Sequence, residues 1–203
     1  MIRHVYTPQS HRFFDNLVSF FAGVSSLGLA FQAQASHSTH PFHPTDYIAI
    51  VGTSHVAACE LHVFPAPILS CLLANQWPTR IEVHEIPINQ SPPSHPITLT
   101  GMQGVHGSMI ASAFVQYFES NRKAVESKCS SNGQPWPATW NFGRVVRNAL
   151  AHKGIINIQN ANATPVSWRT LTYGPAQNGR QLLYQDLTAV ELILLMKEMD
   201  SLL

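Results

Sequence analysis

Hydrophobic residues recur at helical spacing along much of this chain. Residues 17–31 form a largely apolar run, so we predict a long buried helix over residues 9–35. Similar spacing predicts a helix over residues 46–64, a proline kink and a second helix that ends near residue 76, and then a helix over residues 101–127. We expect the inner side of the first helix to hold Phe13, Leu17, Phe20, Phe21, Val24, Leu27 and Phe31.

A few shorter segments favour extended structure. Residues 80–88 alternate apolar and polar side chains, as a short strand or an extended arm does. Residues 155–158 and 166–171 have strand-like composition and predict a small hairpin, and residues 186–203 predict a closing helix. Helices dominate this pattern, so we predict a mainly α fold with a short β-hairpin or extended arm.

Length and composition favour a single domain that has a partner. The chain has 203 residues, of which 45% are hydrophobic, enough to bury one sizeable core. Charged residues make up 11%, whereas an average soluble domain has about 25%. Because a surface this poor in charge is often partly covered by another chain, we expect residues 1–203 to form one domain within an oligomer.

The N-terminal apolar run and the cysteines bear on location. The run resembles a secretory leader, but Asp15 borders it and a long segment precedes it, and both features argue against a leader. Its 15 residues are fewer than the roughly 20 that span a bilayer. Cys59, Cys71 and Cys129 lack the spacing of a zinc ribbon or a disulfide framework. We therefore expect a cytoplasmic protein with reduced thiols and no membrane association.

Residues 139–153 form the predicted helix whose polar face is arranged for chemistry. At about 100° per residue, Arg144 and His152 fall within roughly 40° of Asn148. Arg147 lies about 100° to one side. The opposite side of the helix is apolar and can pack on a core. The polar face therefore presents two guanidinium groups, an amide and an imidazole to an anion.

The ends of this helix also carry typical signals. Thr139 follows a proline-rich segment and can cap the helix start. Lys153 suits the last turn, and Gly154 suits the left-handed position just beyond it.

The charges near this helix differ from those of the whole chain. Lys and Arg number 12 against 11 Asp and Glu, so the chain lacks the overall basic balance of a dedicated nucleic-acid binder. No Asp or Glu occurs over residues 127–185, and this acid-free stretch predicts a positive surface around the helix. Six cations lie within it: Lys128, Arg144, Arg147, Lys153, Arg169 and Arg180.

The chain has the order Arg147-Asn148-x-x-x-His152, followed by an extended stretch and a last amphipathic helix. This order resembles the Arg-x(4–6)-His motif of the HEPN superfamily. The sequence that flanks the motif is similar to that of plasmid-borne members of the superfamily. The likeness covers mainly residues 139–203, about a third of the chain. It implies an antiparallel helical bundle and a homodimer that acts as a metal-independent endoribonuclease. Several members are toxins or phage-defence effectors, so an antitoxin protein is a further partner to consider.

These residue types suit RNA cleavage without a metal or other cofactor. The reaction needs a base, an acid and cations for the charge that grows on the phosphate, and it leaves a 2′,3′-cyclic phosphate. A histidine such as His152 can be base or acid at neutral pH, and Arg147 matches phosphate oxygens. Asn148 would orient the histidine ring or the phosphate. Arg144 and Lys153 are expected to bind neighbouring phosphates. One histidine cannot fill both roles, so the mechanism requires a two-fold dimer.

Three other interpretations remain open. The same face in a non-catalytic helical module would bind RNA, a nucleotide or a protein, as in family members that have lost catalysis. Arg147 and His152 would have a purely structural role if they packed against the protein's own carboxylates. His37, His40 and His43 have a spacing that invites a metal, but no carboxylate or thiolate accompanies them, and a solvated loop is favoured.

Overall fold

Helices and strands both contribute to the fold. The computed structural model describes residues 1–36, 42–88, 102–129 and 136–203. In these ranges the helices are α1 (Phe14–Ser36), α2 (Pro65–Leu73), α3 (Met102–Lys128), α4 (Ala138–Ala151) and α5 (Ala189–Asp200). The strands are β1 (Ile2–Tyr6), β2 (Ile48–Val51), β3 (Cys59–Val63), β4 (Ile81–Pro87), β5 (Val166–Trp168) and β6 (Leu171–Tyr173).

Four strands form an antiparallel sheet in the order β1-β4-β3-β2. β1 pairs with β4 from Ile2 opposite Glu85 to Tyr6 opposite Ile81. In β3, alternate residues are buried, whereas Glu60 and His62 between them are half-buried. This period of two places one face of the sheet on the core and leaves the other polar.

The sheet corrects the predicted fold class. A mainly α fold is wrong, because the four-stranded sheet and the β5–β6 hairpin make the structure mixed α and β. The predicted helix over residues 46–64 is also wrong, since that segment forms β2 and β3. Short apolar runs rich in Ile and Val fit either a buried helix or a strand, and partner strands decided between them.

Other predicted elements are confirmed. The helix predicted to end near residue 76 is α2. The alternating segment over residues 80–88 is β4, and the predicted helix over residues 101–127 is α3. On β4, His84 lies 2.9 Å from Glu82, so the two share a face as their spacing predicts. His84 also holds the pKa of Glu82 below its usual value through this hydrogen bond.

Helix α5 is the centre of the core. Ten of its 12 residues are buried, including Glu191. It contacts α3 and α4 as well as β2 and β3. Glu191 accepts hydrogen bonds from the backbone and the hydroxyl of both Thr53 and Thr188, at 2.6–2.8 Å. This carboxylate therefore ties the end of the sheet to the start of α5.

Helix α1 is buried over its first half only. The expected inner residues from Phe13 to Val24 are buried, but Leu27 is half-buried and Phe31 is 53% exposed. Residues 14–32 are long and apolar enough to cross a membrane, and 39% of that window is buried within the protein. Core helices of soluble proteins and signal sequences pass the same test of length and composition. His37 and His40 lie outside the described residues.

Several predicted boundaries shift. The residue before α4 is Pro137, and no side chain caps that helix, so the predicted cap at Thr139 is wrong. Lys153 and Gly154 both have a positive φ beyond the end of α4, as predicted for Gly154. The hairpin forms within residues 166–173 and leaves out residues 155–158. The closing helix begins later than residue 186, because Thr188 accepts a hydrogen bond from the amide of Val190.

Candidate functional site

Helix α4 is amphipathic, as its sequence predicts. Trp140, Phe142, Gly143, Val146, Ala149 and Leu150 are buried. The indole of Trp140 donates a hydrogen bond of 3.0 Å to the carbonyl of Met199 in α5. These contacts orient the helix, so the polar residues of the motif lie on its outer side.

Arg147 is held by residues of its own chain. Its Nη2 lies 2.5 Å from Oε1 of Glu119 on α3, and its Nη1 donates to Oδ1 of Asn148 at 3.1 Å. Its Nε is buried and has no hydrogen-bond partner among the described residues. The side chains of Arg147 and Glu119 are 30% and 39% exposed, so water and solutes can reach this pair.

His152 lies just beyond the last turn of α4. Its backbone amide donates to the carbonyl of Ala149 at 2.9 Å, and its φ of −118° departs from helical geometry. The side chain is exposed. Asn148 accepts a hydrogen bond from Arg147 and makes none with the His152 ring, which differs from the orienting role we expected for the amide. The imidazole is therefore open to a ligand.

The six cations of the acid-free stretch fall into two groups. Arg147, Arg169 and Arg180 pair with Glu119, Glu198 and Asp186, all of which come from outside the stretch. Lys128 donates to the backbone carbonyl of Leu203. Arg144 and Lys153 are exposed and have no ion-pair or hydrogen-bond partner in the part of the chain that the structure describes. These two positive charges are free to meet an anion.

A groove lies between the first half of α4 and residues 160–167. Its volume is about 690 Å³. We call it the α4 groove, and its lining includes Asn141, Arg144, Asn160, Thr164 and Ser167. All of its lining residues belong to the acid-free stretch, so no carboxylate lines it.

Sequence patterns did not reveal Glu119. It follows a long uncharged segment of α3, and nothing local connects it with Arg147, 28 positions later. The contact arises because α3 packs along α4.

The described residues also include possible metal ligands and thiols. Among residues 1–36, 42–88, 102–129 and 136–203, no three His, Cys, Asp or Glu side chains are placed to hold a metal ion. Cys59 is buried, Cys71 is half-buried and Cys129 is exposed, and none of the three forms a disulfide. Burial raises the pKa of Cys59 to about 11, which disfavours the reactive thiolate.

The sequence and the structure were compared with known proteins. The chain matches no protein-family model, no curated protein and no solved structure. Membership of the HEPN superfamily therefore stays a prediction that rests on the motif residues.

Proposed function

We propose that this protein is a metal-independent endoribonuclease of HEPN type that cleaves RNA in a composite site between two subunits. The observation that supports this proposal best is the exposed end of α4. There the open imidazole of His152 lies beside the unpaired Lys153, one turn beyond Arg147 and Asn148. A toxin or defence role is the biological setting that this activity would serve.

The chemistry follows from the residue types. His152 of one subunit takes the proton of the 2′-hydroxyl, and the second copy of His152 gives a proton to the leaving 5′-oxygen. Arg147 binds the non-bridging oxygens and stabilises the charge that develops on the phosphate. The products are a 2′,3′-cyclic phosphate and a free 5′-hydroxyl. Dimerisation brings the two imidazoles to one phosphate.

Glu119 gives this mechanism an additional step. The phosphate must replace Glu119 as the partner of Arg147. Because both side chains are about a third exposed, breaking the ion pair costs about 1 kcal/mol or less. A phosphate that gains two charge-assisted hydrogen bonds from the guanidinium can offset that cost.

A second candidate is a non-catalytic module that binds RNA, a nucleotide or a protein through the same face. One observation favours it, since the guanidinium of Arg147 pairs with Glu119 and Asn148 of its own chain. In this case the ion pair would be a permanent structural link between α3 and α4.

Cleavage of total RNA by the purified protein distinguishes the two candidates. We expect Arg147→Ala and His152→Ala to abolish cleavage while the circular dichroism spectrum and the dimer mass, about twice 22.5 kDa, stay unchanged. Arg80→Ala and His55→Ala are matched controls, because both replace exposed residues away from the motif. Full activity of His152→Ala would reject the catalytic assignment. A gel shift without any shortening of the RNA would favour the binding module.

A further inference from the structure

The α4 groove is a built cavity apart from the motif residues. Its volume of about 690 Å³ lies within the range of roughly 300–1,000 Å³ found for small-ligand sites. One wall is the first half of α4, and the other is the segment over residues 160–167 that leads into β5. Both walls of the groove therefore come from the acid-free stretch over residues 127–185.

The electrostatics of the groove favour an anion. Arg144 lines it, is exposed, and has no partner among the described residues. Ala138 also lines it and marks the start of α4, where no side chain caps the first-turn amides. Those amides carry the positive end of the helix dipole. With no carboxylate in the lining, nothing inside the groove competes for Arg144.

The neutral lining residues can read the edge of a base. The Nδ2 of Asn141 donates to the carbonyl of Trp136 at 3.0 Å, which leaves its Oδ1 able to accept. The Oδ1 of Asn160 accepts from the amide of Asn162 at 2.9 Å, which leaves its Nδ2 able to donate. A nucleobase presents both donors and acceptors, so one free acceptor and one free donor suit it.

The groove and the motif both lie along α4. Arg144 and Asn148 are four residues apart and so lie on the same side of the helix, and His152 follows directly after its last residue. Eight residues correspond to about 12 Å along the helix axis. Stacked nucleotides rise about 3.4 Å each, so three to four of them span that distance.

We infer that the α4 groove binds one nucleotide of a single-stranded RNA, three to four positions from the bond that is cut, with Arg144 on its phosphate and Asn141 and Asn160 on its base. This inference rests on the proposed function, since it places the same substrate along the same helix. It explains why Arg144 has no carboxylate partner although Arg147, Arg169 and Arg180 each have one.

Binding of an uncleavable RNA tests the groove without relying on catalysis. The probe is a fluorescein-labelled 12-nucleotide 2′-O-methyl RNA, which lacks the attacking hydroxyl, and its anisotropy is followed at several salt concentrations. We expect Arg144→Ala to weaken binding about tenfold and to make the salt slope shallower by about 0.7. Arg144→Lys should restore part of the affinity. Arg80→Ala, which removes an exposed arginine beside β4, is the matched control and should bind as the wild-type protein does.

Strand length provides an internal check. A two-nucleotide probe is too short to reach from His152 into the groove, so Arg144→Ala should weaken its binding less than that of the 12-nucleotide probe. Equal affinity of Arg144→Ala and wild-type protein for the longer probe would overturn the inference. So would a mononucleotide that competes as well as the strand, because the groove would then be a free-nucleotide site.

The groove and the catalytic proposal can fail separately. If the wild-type protein does not cut the matching 2′-hydroxyl RNA but its binding still depends on Arg144, the groove stands and the nuclease assignment is wrong. If cleavage depends on His152 while Arg144→Ala binds normally, the nuclease stands and the groove assignment is wrong.

Discussion

Glu119 on α3 and Arg147 on α4 form an ion pair in which Oε1 and Nη2 lie 2.5 Å apart. The pair joins α3 to α4, the helix that carries the motif, and it occupies the guanidinium that the proposed reaction needs. An ion pair this exposed contributes little to folding, so under the proposed function its main effect would be to compete with an incoming phosphate.

Replacing Glu119 should therefore strengthen RNA binding. We expect Glu119→Gln to lower the Kd for the uncleavable 12-nucleotide RNA about two- to fivefold, because the amide is a weaker competitor for Arg147 than the carboxylate. The free energy of unfolding should fall by about 1 kcal/mol or less. Glu126→Gln, which removes the partner of Arg122 on the same helix, is the control. Weaker RNA binding by Glu119→Gln would mean that the carboxylate positions Arg147.

Metal removal should leave cleavage unaffected. The proposed reaction uses imidazole and guanidinium groups alone. Protein that is dialysed against EDTA and assayed with EDTA present should therefore cleave RNA at the same rate as untreated protein. Contamination by a metal-independent ribonuclease of the expression host is excluded by assaying His152→Ala purified in the same way. Loss of activity in EDTA that returns with one divalent metal would contradict the mechanism.

Two glycines should respond to alanine in opposite directions. A Cβ on Gly52 would lie 2.7 Å from the carbonyl oxygen of Cys59, so Gly52→Ala forces backbone apart where the sheet meets α5 and should destabilise the protein by about 1–3 kcal/mol. A Cβ on Gly28 would meet no atom within 4 Å. Because alanine favours a helix, Gly28→Ala should stabilise α1 by about 0.5–1 kcal/mol. Urea denaturation measures both, and equal effects would contradict this packing.

The three thiols should differ in reactivity. At pH 8, iodoacetamide should label Cys129 first and Cys71 next, while Cys59 stays unlabelled until urea unfolds the chain. Burial raises the pKa of Cys59 from 9.0 to about 11. The unfolded chain therefore loses this proton first as pH rises, and the contribution of the neutral thiol to stability declines between about pH 9 and 11. Peptide mass spectrometry identifies the labelled positions.

The sequence and the tertiary structure each determined part of the fold. The helical character of α1, α3, α4 and α5 could be predicted from the sequence, because apolar residues at three- and four-residue spacing make one face of a helix. Strand β4 could also be predicted, because the alternation of its apolar and polar residues is a local pattern. The segment over residues 46–64 could not be assigned in this way, since short Ile- and Val-rich runs become strands only when neighbouring strands supply hydrogen bonds.

The candidate site divides in the same manner. The sequence alone placed Arg144, Asn148 and His152 on one stripe of an amphipathic helix and showed that acidic residues are absent around them, because helical periodicity and composition are properties of contiguous residues. Only the tertiary structure decided that Glu119 pairs with Arg147, that Arg144 is left without a partner, and that residues 160–167 close a groove beside it. Contacts between distant segments depend on how the helices pack, and a one-dimensional pattern does not record packing.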